Sequence, residues 1–271
     1  EQTGLDIPAL CFEENDKLNI TEYTQICMLA VEAAIYQAII DKGITPDVTA
    51  GLSLGEYGAL IASGAMTMAD AFAVVRKRGI YMQEAVPTGG AMTAVLGLDP
   101  QVIEDICKKT ADETNSVVSV ANYNCPGQIV ITGEKAAVDA AAAACSEAGA
   151  KRCVPLKVSG PFHSAMLKGA GEKLADALES VEIHDIKVPY ITNVTADYVK
   201  SPADVKDYLT QQVSSSVRWQ QTIERLIADG ADEFVEIGPG RSLSGFMRKI
   251  NRDVKVVNID KLEDFEKYVN R

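Results

Sequence analysis

Histidine is scarce in this 271-residue chain: there are two, His163 and His184, beside a single tryptophan. Any search for a general base working near neutral pH is therefore a choice between two positions. The six cysteines (Cys11, Cys27, Cys107, Cys125, Cys145 and Cys153) form no C-x-x-C pair and have no histidine at ligand spacing. That pattern disfavours a zinc site or a disulfide framework and reads as buried thiols in a reducing, cytoplasmic compartment; no metal and no bound redox cofactor is implied. No uninterrupted apolar run reaches the roughly 18 residues that span a bilayer, and no charged n-region precedes an apolar h-region, so no membrane role is expected. Positive charge is also short, with 26 basic against 38 acidic residues and a net charge of −12, which argues against non-specific binding of nucleic acid.

What remains is a globular composition, 47% hydrophobic and 24% charged, enough for one large domain or two smaller ones. The opening Glu1-Gln2-Thr3-Gly4 has no methionine and no strand-like run, and reads as the middle of a domain. Periodicity predicts helices over 21–41 and 68–85, and a short strand over 47–51 that passes through a glycine-rich turn into a helix. From Gly90 the texture changes to strand, helix, strand, strand, Ala-rich helix and a strand over 151–159. This βαββαβ order predicts a ferredoxin-like subdomain over 89–159, inserted into a larger α/β domain formed by 1–88 and 160–271. In the larger part, helices over 165–178, 203–213, 219–229 and 243–250 alternate with strands over 189–194, 233–237 and 254–260. Such alternation implies a mainly parallel sheet covered on both faces.

Gly51-Leu52-Ser53-Leu54-Gly55 fits the G-x-S-x-G nucleophile elbow, with a strand before it and a helix after it. The alternative is a glycine-rich turn with an incidental serine. A serine needs a base to take its proton. His184, in a polar helix-to-strand connection, reads as solvent-exposed. His163 follows a strand end and a Gly-Pro turn, so it and Ser53 would both lie at the carboxyl ends of strands, where open α/β sheets bind ligands. The alternative for His163 is a helix N-terminal residue bonded to backbone. No carboxylate stands out between the two, which favours a dyad whose imidazole is oriented by a backbone carbonyl. On the helix over 68–85, Arg78 shares a stripe with Ala71, Val74, Val75 and Met82, and a guanidinium on an apolar face needs a counter-charge. That charge is either an anionic acyl substrate held bidentately or an internal carboxylate. Arg76 is less marked, and Lys77 reads as solvated.

The segments GLSLGEYGALIASGAMT, RKRGIYMQEAVPTGGAM, NYNCPGQIVITG, SGPFHSAML and EIGPGRSL occur in the order and spacing of malonyl-CoA:acyl carrier protein transacylases and related acyltransferase domains, which the chain resembles over nearly its whole length. The resemblance implies a hydrolase-like domain with a ferredoxin-like insert, malonyl-CoA as substrate and acyl carrier protein as partner. It places the nucleophile on Ser53, the base on His163, the carboxylate-binding arginine on Arg78, an oxyanion donor on the Leu54 N–H and the histidine-orienting carbonyl on Gln212. Phe162, just before the base, goes in the family with malonyl rather than methylmalonyl specificity. Two departures stand out. Leu52 replaces the histidine of the usual G-H-S-x-G and should change a pocket lining. The family also begins with a strand and a P-G-Q-G-x-Q type loop whose glutamine N–H completes the oxyanion hole. No such segment precedes Glu1, so either the sequence omits residues or this form lacks half of that hole. Competing readings are a serine esterase or thioesterase, with an acidic triad member and tolerance of neutral acyl groups, and a non-catalytic carrier-binding module. For an acidic carrier, candidate basic surfaces are Arg248, Lys249 and Arg252, or Lys151 and Arg152; the alternative for each is a plain solvated face.

Overall fold

The computed structural model of the chain describes residues 2–158 and 160–271. Glu1 and Ser159 fall outside them, and with them the first residue of the unusual opening and the last of the strand expected over 151–159. In order, the elements are α1 (Ile7–Phe12), α2 (Thr21–Ile40), β1 (Thr49–Ala50), α3 (Gly55–Ser63), α4 (Met68–Ala85), β2 (Gly90–Leu96), α5 (Pro100–Thr114), β3 (Val118–Cys125), β4 (Gln128–Glu134), α6 (Lys135–Glu147), β5 (Arg152–Pro155), α7 (Lys168–Glu179), β6 (Tyr190–Ile191), α8 (Val205–Gln212), α9 (Trp219–Ala228), β7 (Glu233–Ile237), α10 (Ser242–Ile250), β8 (Lys255–Ile259) and α11 (Leu262–Val269).

The segment from β2 to β5 has the expected βαββαβ order and closes a four-stranded sheet, β3-β4-β2-β5, in which every pairing is antiparallel. Its helices lie on a core of its own, built from Val95, Ile103, Val118, Ile129, Ile131, Val138 and Cys145. Local chemistry explains the helix ends. Asp99 caps α5 by accepting the Gln101 N–H, Pro100 opens the helix, and Asn115 closes it in the left-handed conformation. The sheet is tied to the remainder through β3, where the Tyr123 N–H donates to the Val217 carbonyl and the Val217 N–H to the Ala121 carbonyl.

The larger part packs α2 against α4. A Cβ at Gly79 of α4 would lie 2.9 Å from the Glu22 Cα, so the two backbones touch where only glycine fits. Helix α2 is long and apolar enough to cross a membrane by length and composition, but Ile26, Cys27 and Leu29 on it are buried in the main core with Val74, Val75 and Leu174. That makes it a core helix of a globular fold.

The expected parallel sheet is a correction in part. Strands β1 and β6 pair in parallel, as do β7 and β8, but among the described residues these are separate two-stranded pieces. The strands expected over 47–51 and 189–194 shrink to two residues each, because the chain turns into tight loops at Gly51 and Thr192. A cavity of about 1160 Å³ is lined by Thr49 and Ala50 of β1 and by Phe234, Val235 and Glu236 of β7. Strand β5 is also shorter than expected, ending at Pro155, which has no N–H for a ladder. The helix expected from Ala165 begins instead with a 3-10 turn over Ala165–Leu167. Helices α1 and α11 have no counterpart among the helices expected from periodicity. Asp6 caps α1 ahead of Pro8, and Asp264 accepts the Lys261 N–H at the start of α11.

Candidate active site

Strand β1 ends at Ala50, and at the next residue, Gly51, a Cβ would lie 1.9 Å from the Gly55 carbonyl oxygen. Glycine is therefore obligatory for so abrupt a turn into α3. The second glycine of the motif, Gly55, would place a Cβ in open space, with nothing within 4 Å, so it is not demanded by crowding. Ser53 adopts φ +53°, left-handed for a non-glycine residue. Leu54 follows in helical conformation as the N-cap of α3, and no acceptor among the described residues takes its N–H.

His163 also lies in this unusual region, at φ +60°, in the turn between Pro161 and the 3-10 turn that leads into α7. The turn is pinned by the Ser164 hydroxyl donating to the Pro161 carbonyl at 2.7 Å. It brings the imidazole, 4% exposed, to the serine: Ser53 Oγ and His163 Nε2 are 2.8 Å apart. On the far side, His163 Nδ1 lies 2.8 Å from the Gln212 carbonyl oxygen at the end of α8. A carbonyl only accepts, so Nδ1 carries the proton and Nε2 is left to accept the Ser53 hydroxyl proton. Burial, followed by the positive charge of Arg78, holds the imidazole pKa down to about 4, so the ring is neutral at physiological pH.

Arg78 is 1% exposed. Its Nη2 donates to Ser53 Oγ at 3.1 Å and to Gln212 Oε1 at 3.0 Å, and its Nη1 donates to Gln25 Oε1 at 2.6 Å. The Tyr57 ring lies 5.6 Å from the guanidinium carbon. Among the described residues no carboxylate makes an ion pair with it; Glu56 is near enough to be felt but not in contact. Arg76, by contrast, is spent on Glu22 at 2.8 Å, and Lys77 is exposed. Phe162 is half-buried and packs against both the main core and the smaller cluster of Met92, Ala94, Ala121 and Val130, bridging the two parts beside the base.

All six residues named from the sequence thus come together, Ser53, Leu54, Arg78, Phe162, His163 and Gln212. His184 lies elsewhere, 3.7 Å from Glu182. Leu52 points away from the dyad into a cluster with Ile191, Val217 and Trp219 and lines the large cavity. That cavity touches the elbow from behind, through Gly51, Leu52, Leu54 and Gly55, and neither Ser53, His163 nor Arg78 lines it. Three side chains of the site are not evident from the sequence: Gln25, Glu56 and Asn193. Only Glu56, next to the elbow motif, carries a signal of position. Cys27, Cys107 and Cys145 are poor competitors as nucleophiles, since burial pushes Cys27 and Cys107 up to about 12 and Cys145 up to about 11. No group of three or more metal-binding side chains occurs among the described residues.

Comparison with known proteins gives the family. The acyl transferase domain family matches residues 1–259. A malonyl CoA-acyl carrier protein transacylase of Bacillus subtilis (strain 168) is 46% identical over 262 residues, which are 96% of this chain and 82% of the relative. The crystal structure of MCAT from Streptococcus pneumoniae superposes with a TM-score of 0.95 at 45% identity, covering 99% of this chain and 88% of that one. A type II PKS acyl-carrier protein in complex with its malonyl-transacylase, PlMCAT:AntF, matches with a TM-score of 0.96 at 39% identity, over 99% of this chain and 87% of that one. On the family match, the relatives and the assembled serine, histidine and arginine, this chain belongs to the acyl transferase domain family.

Proposed function

We propose that this chain transfers the malonyl group of malonyl-CoA to the phosphopantetheine thiol of acyl carrier protein through a malonyl-Ser53 ester, in fatty-acid biosynthesis. The names of its relatives support the substrates. The observation that carries the reading is the buried Arg78: it holds Ser53 Oγ at 3.1 Å yet has no carboxylate in ion-pair contact among the described residues. A malonyl thioester puts its carboxylate one methylene from the reacting carbonyl. The guanidinium that binds the carboxylate thereby delivers the carbonyl to the adjacent hydroxyl.

In the first half-reaction His163 Nε2 takes the Ser53 proton while Oγ attacks the thioester carbonyl. The oxyanion is held by the Leu54 N–H at the start of α3. The carbon–sulfur bond breaks, and His163 returns the proton to the departing CoA sulfur. In the second, His163 takes the proton of the carrier thiol, sulfur attacks the malonyl-serine carbonyl, and the proton goes back to Ser53 Oγ as the ester bond breaks. The charge developed on the imidazole is stabilised by the Gln212 carbonyl, without a third acidic residue. Neutral acyl groups are disfavoured because they leave a buried guanidinium unpaired. That argues against the esterase reading, as does the carbonyl behind His163 where an esterase triad has a carboxylate.

We read residues 89–159 as a ferredoxin-like subdomain set into a hydrolase-like domain of 1–88 and 160–271. The strand order β3-β4-β2-β5 and the separate core support the first assignment. The chemistry uses no metal and no cofactor beyond the substrate CoA. Six free thiols suit a cytoplasmic setting. For the carrier protein, the better docking face is that of Arg248, Lys249 and Arg252, which line one surface depression with Val254 and Val256. It adjoins the β3–β4 hairpin, where Lys249 Nζ donates to Gln128 Oε1 at 3.3 Å.

The test is intact-mass measurement after mixing with malonyl-CoA. The wild type is expected to gain one malonyl group and Ser53→Ala none; Arg78→Ala should lose malonyl transfer far more than acetyl transfer. Equal loss for both acyl groups would remove Arg78 from the mechanism.

A further inference from the structure

We propose that Asn193 is a positioning residue of the acylation step, its carboxamide clamping the nucleophile elbow so that Ser53 Oγ is aimed at His163. The inference rests on Ser53 being the acylated residue. Asn193 lies just beyond β6, the strand that pairs with β1, and it is fully buried. Its Oδ1 accepts the Ser53 N–H at 2.6 Å and its Nδ2 donates to the Gly51 carbonyl at 2.6 Å. One side chain thus bonds the backbone on both sides of Leu52, as a neighbouring strand would, at the point where β1 can no longer pair.

The clamp has a reason to exist. Ser53 is held at φ +53°, a conformation that costs an L-residue energy and persists only where surrounding structure imposes it. With its N–H turned to Asn193 and its carbonyl accepting from Gln212 Nε2 at 2.9 Å, the Ser53 backbone is fixed at both ends. The next N–H, that of Leu54, is the one left free for the oxyanion. Glu56 ties the clamp together, its Oε2 accepting the Asn193 backbone N–H at 3.1 Å and Gln212 Nε2 at 2.7 Å. Asn193 makes no hydrogen bond to His163 or Arg78. Its loss should therefore lower the rate of acylation without weakening the binding of the malonyl carboxylate.

The decisive pair is Asn193→Ala and Asn193→Asp, with malonyl-CoA acylation followed by quenched-flow intact mass and folding by circular dichroism. Asn193→Ala is expected to slow acylation about 10–100-fold, the scale of a small misplacement of reacting atoms, with KM for malonyl-CoA within about threefold of wild type. Asn193→Asp keeps the acceptor for the Ser53 N–H but sets a carboxylate oxygen against the Gly51 carbonyl. It should be slow at high pH and recover as pH falls and the acid regains a proton to donate, whereas the wild type shows no such recovery. A purely structural role would lower melting temperature and activity together with no pH-dependent recovery. Wild-type acylation rates in a folded Asn193→Ala, or in Asn193→Asp at high pH, overturn the proposal, and the aspartate variant decides alone if the alanine variant does not fold. Acylation of wild type and Ser53→Ala alike would instead overturn the reading of Ser53 beneath it.

Discussion

A buried histidine held neutral makes a quantitative prediction about pH. The perturbation is acidification, and the group is His163, whose pKa is pulled from the ordinary 6.5 to about 4 by burial first and by Arg78 second. At pH 5.5 a base of pKa about 4 is roughly 97% neutral, against roughly 9% for an ordinary histidine, a tenfold difference in reactive enzyme. A neutral fluorophosphonate that labels Ser53 reports this base without the substrate's own carboxylate. Its inactivation rate, measured from about pH 3.5 to 8 by intact mass, should stay level well below pH 6 and fall only near 4. Replacing Arg78 with glutamine removes the second cause and should move the fall to higher pH. The same shift appears in stability. Between about 4 and 6.5 the unfolded chain binds a proton on this residue that the native state does not, so folding weakens as pH falls through that window. The loss amounts to about 3 kcal/mol, complete below about pH 4 and absent above 6.5, and His163→Gln should abolish that component. A wild-type limb centred near 6.5 would refute the reasoning, because it would mean that the imidazole is solvated.

Three other outcomes follow from the structure. Phe162→Ala, which opens space beside the base, should raise transfer of methylmalonyl relative to malonyl groups in a competition assay; an unchanged ratio would deny Phe162 a part in selectivity. Gly79→Leu drives a side chain into the Glu22 backbone where α2 and α4 meet, and should cost about 1–3 kcal/mol or more in urea unfolding, the scale of overpacking. Charge reversal at Arg248, Lys249 and Arg252 together should weaken the apparent affinity for acyl carrier protein and its salt dependence while leaving labelling of Ser53 unchanged; reversal at Lys151 and Arg152 should do neither.

What depends on near neighbours could be read along the chain. Helix α4 is bounded at both ends as its periodicity predicts, β7 likewise, and the βαββαβ succession is written in alternating patterns and caps. The serine elbow was legible because a glycine at 51 and a strand-turn-helix sequence are local requirements. His163 was legible because there was almost nothing to choose from. The tertiary structure decided what depends on distant residues meeting. Nothing local to Asn193 or Gln25 says that the first bonds the Ser53 N–H and the second the Arg78 guanidinium, and the place of Glu56 beside the elbow does not say that its carboxylate meets Asn193 and Gln212. Nor could the pattern of strands foretell that β1 and β6 are two residues long, because their length is set by how soon the elbow must turn. Above all, Arg78 offered two readings in the sequence, an internal ion pair or an open cation. Only packing showed it buried without an ion-paired carboxylate among the described residues, because a counter-charge is a property of the space around a side chain and not of its neighbours along the chain.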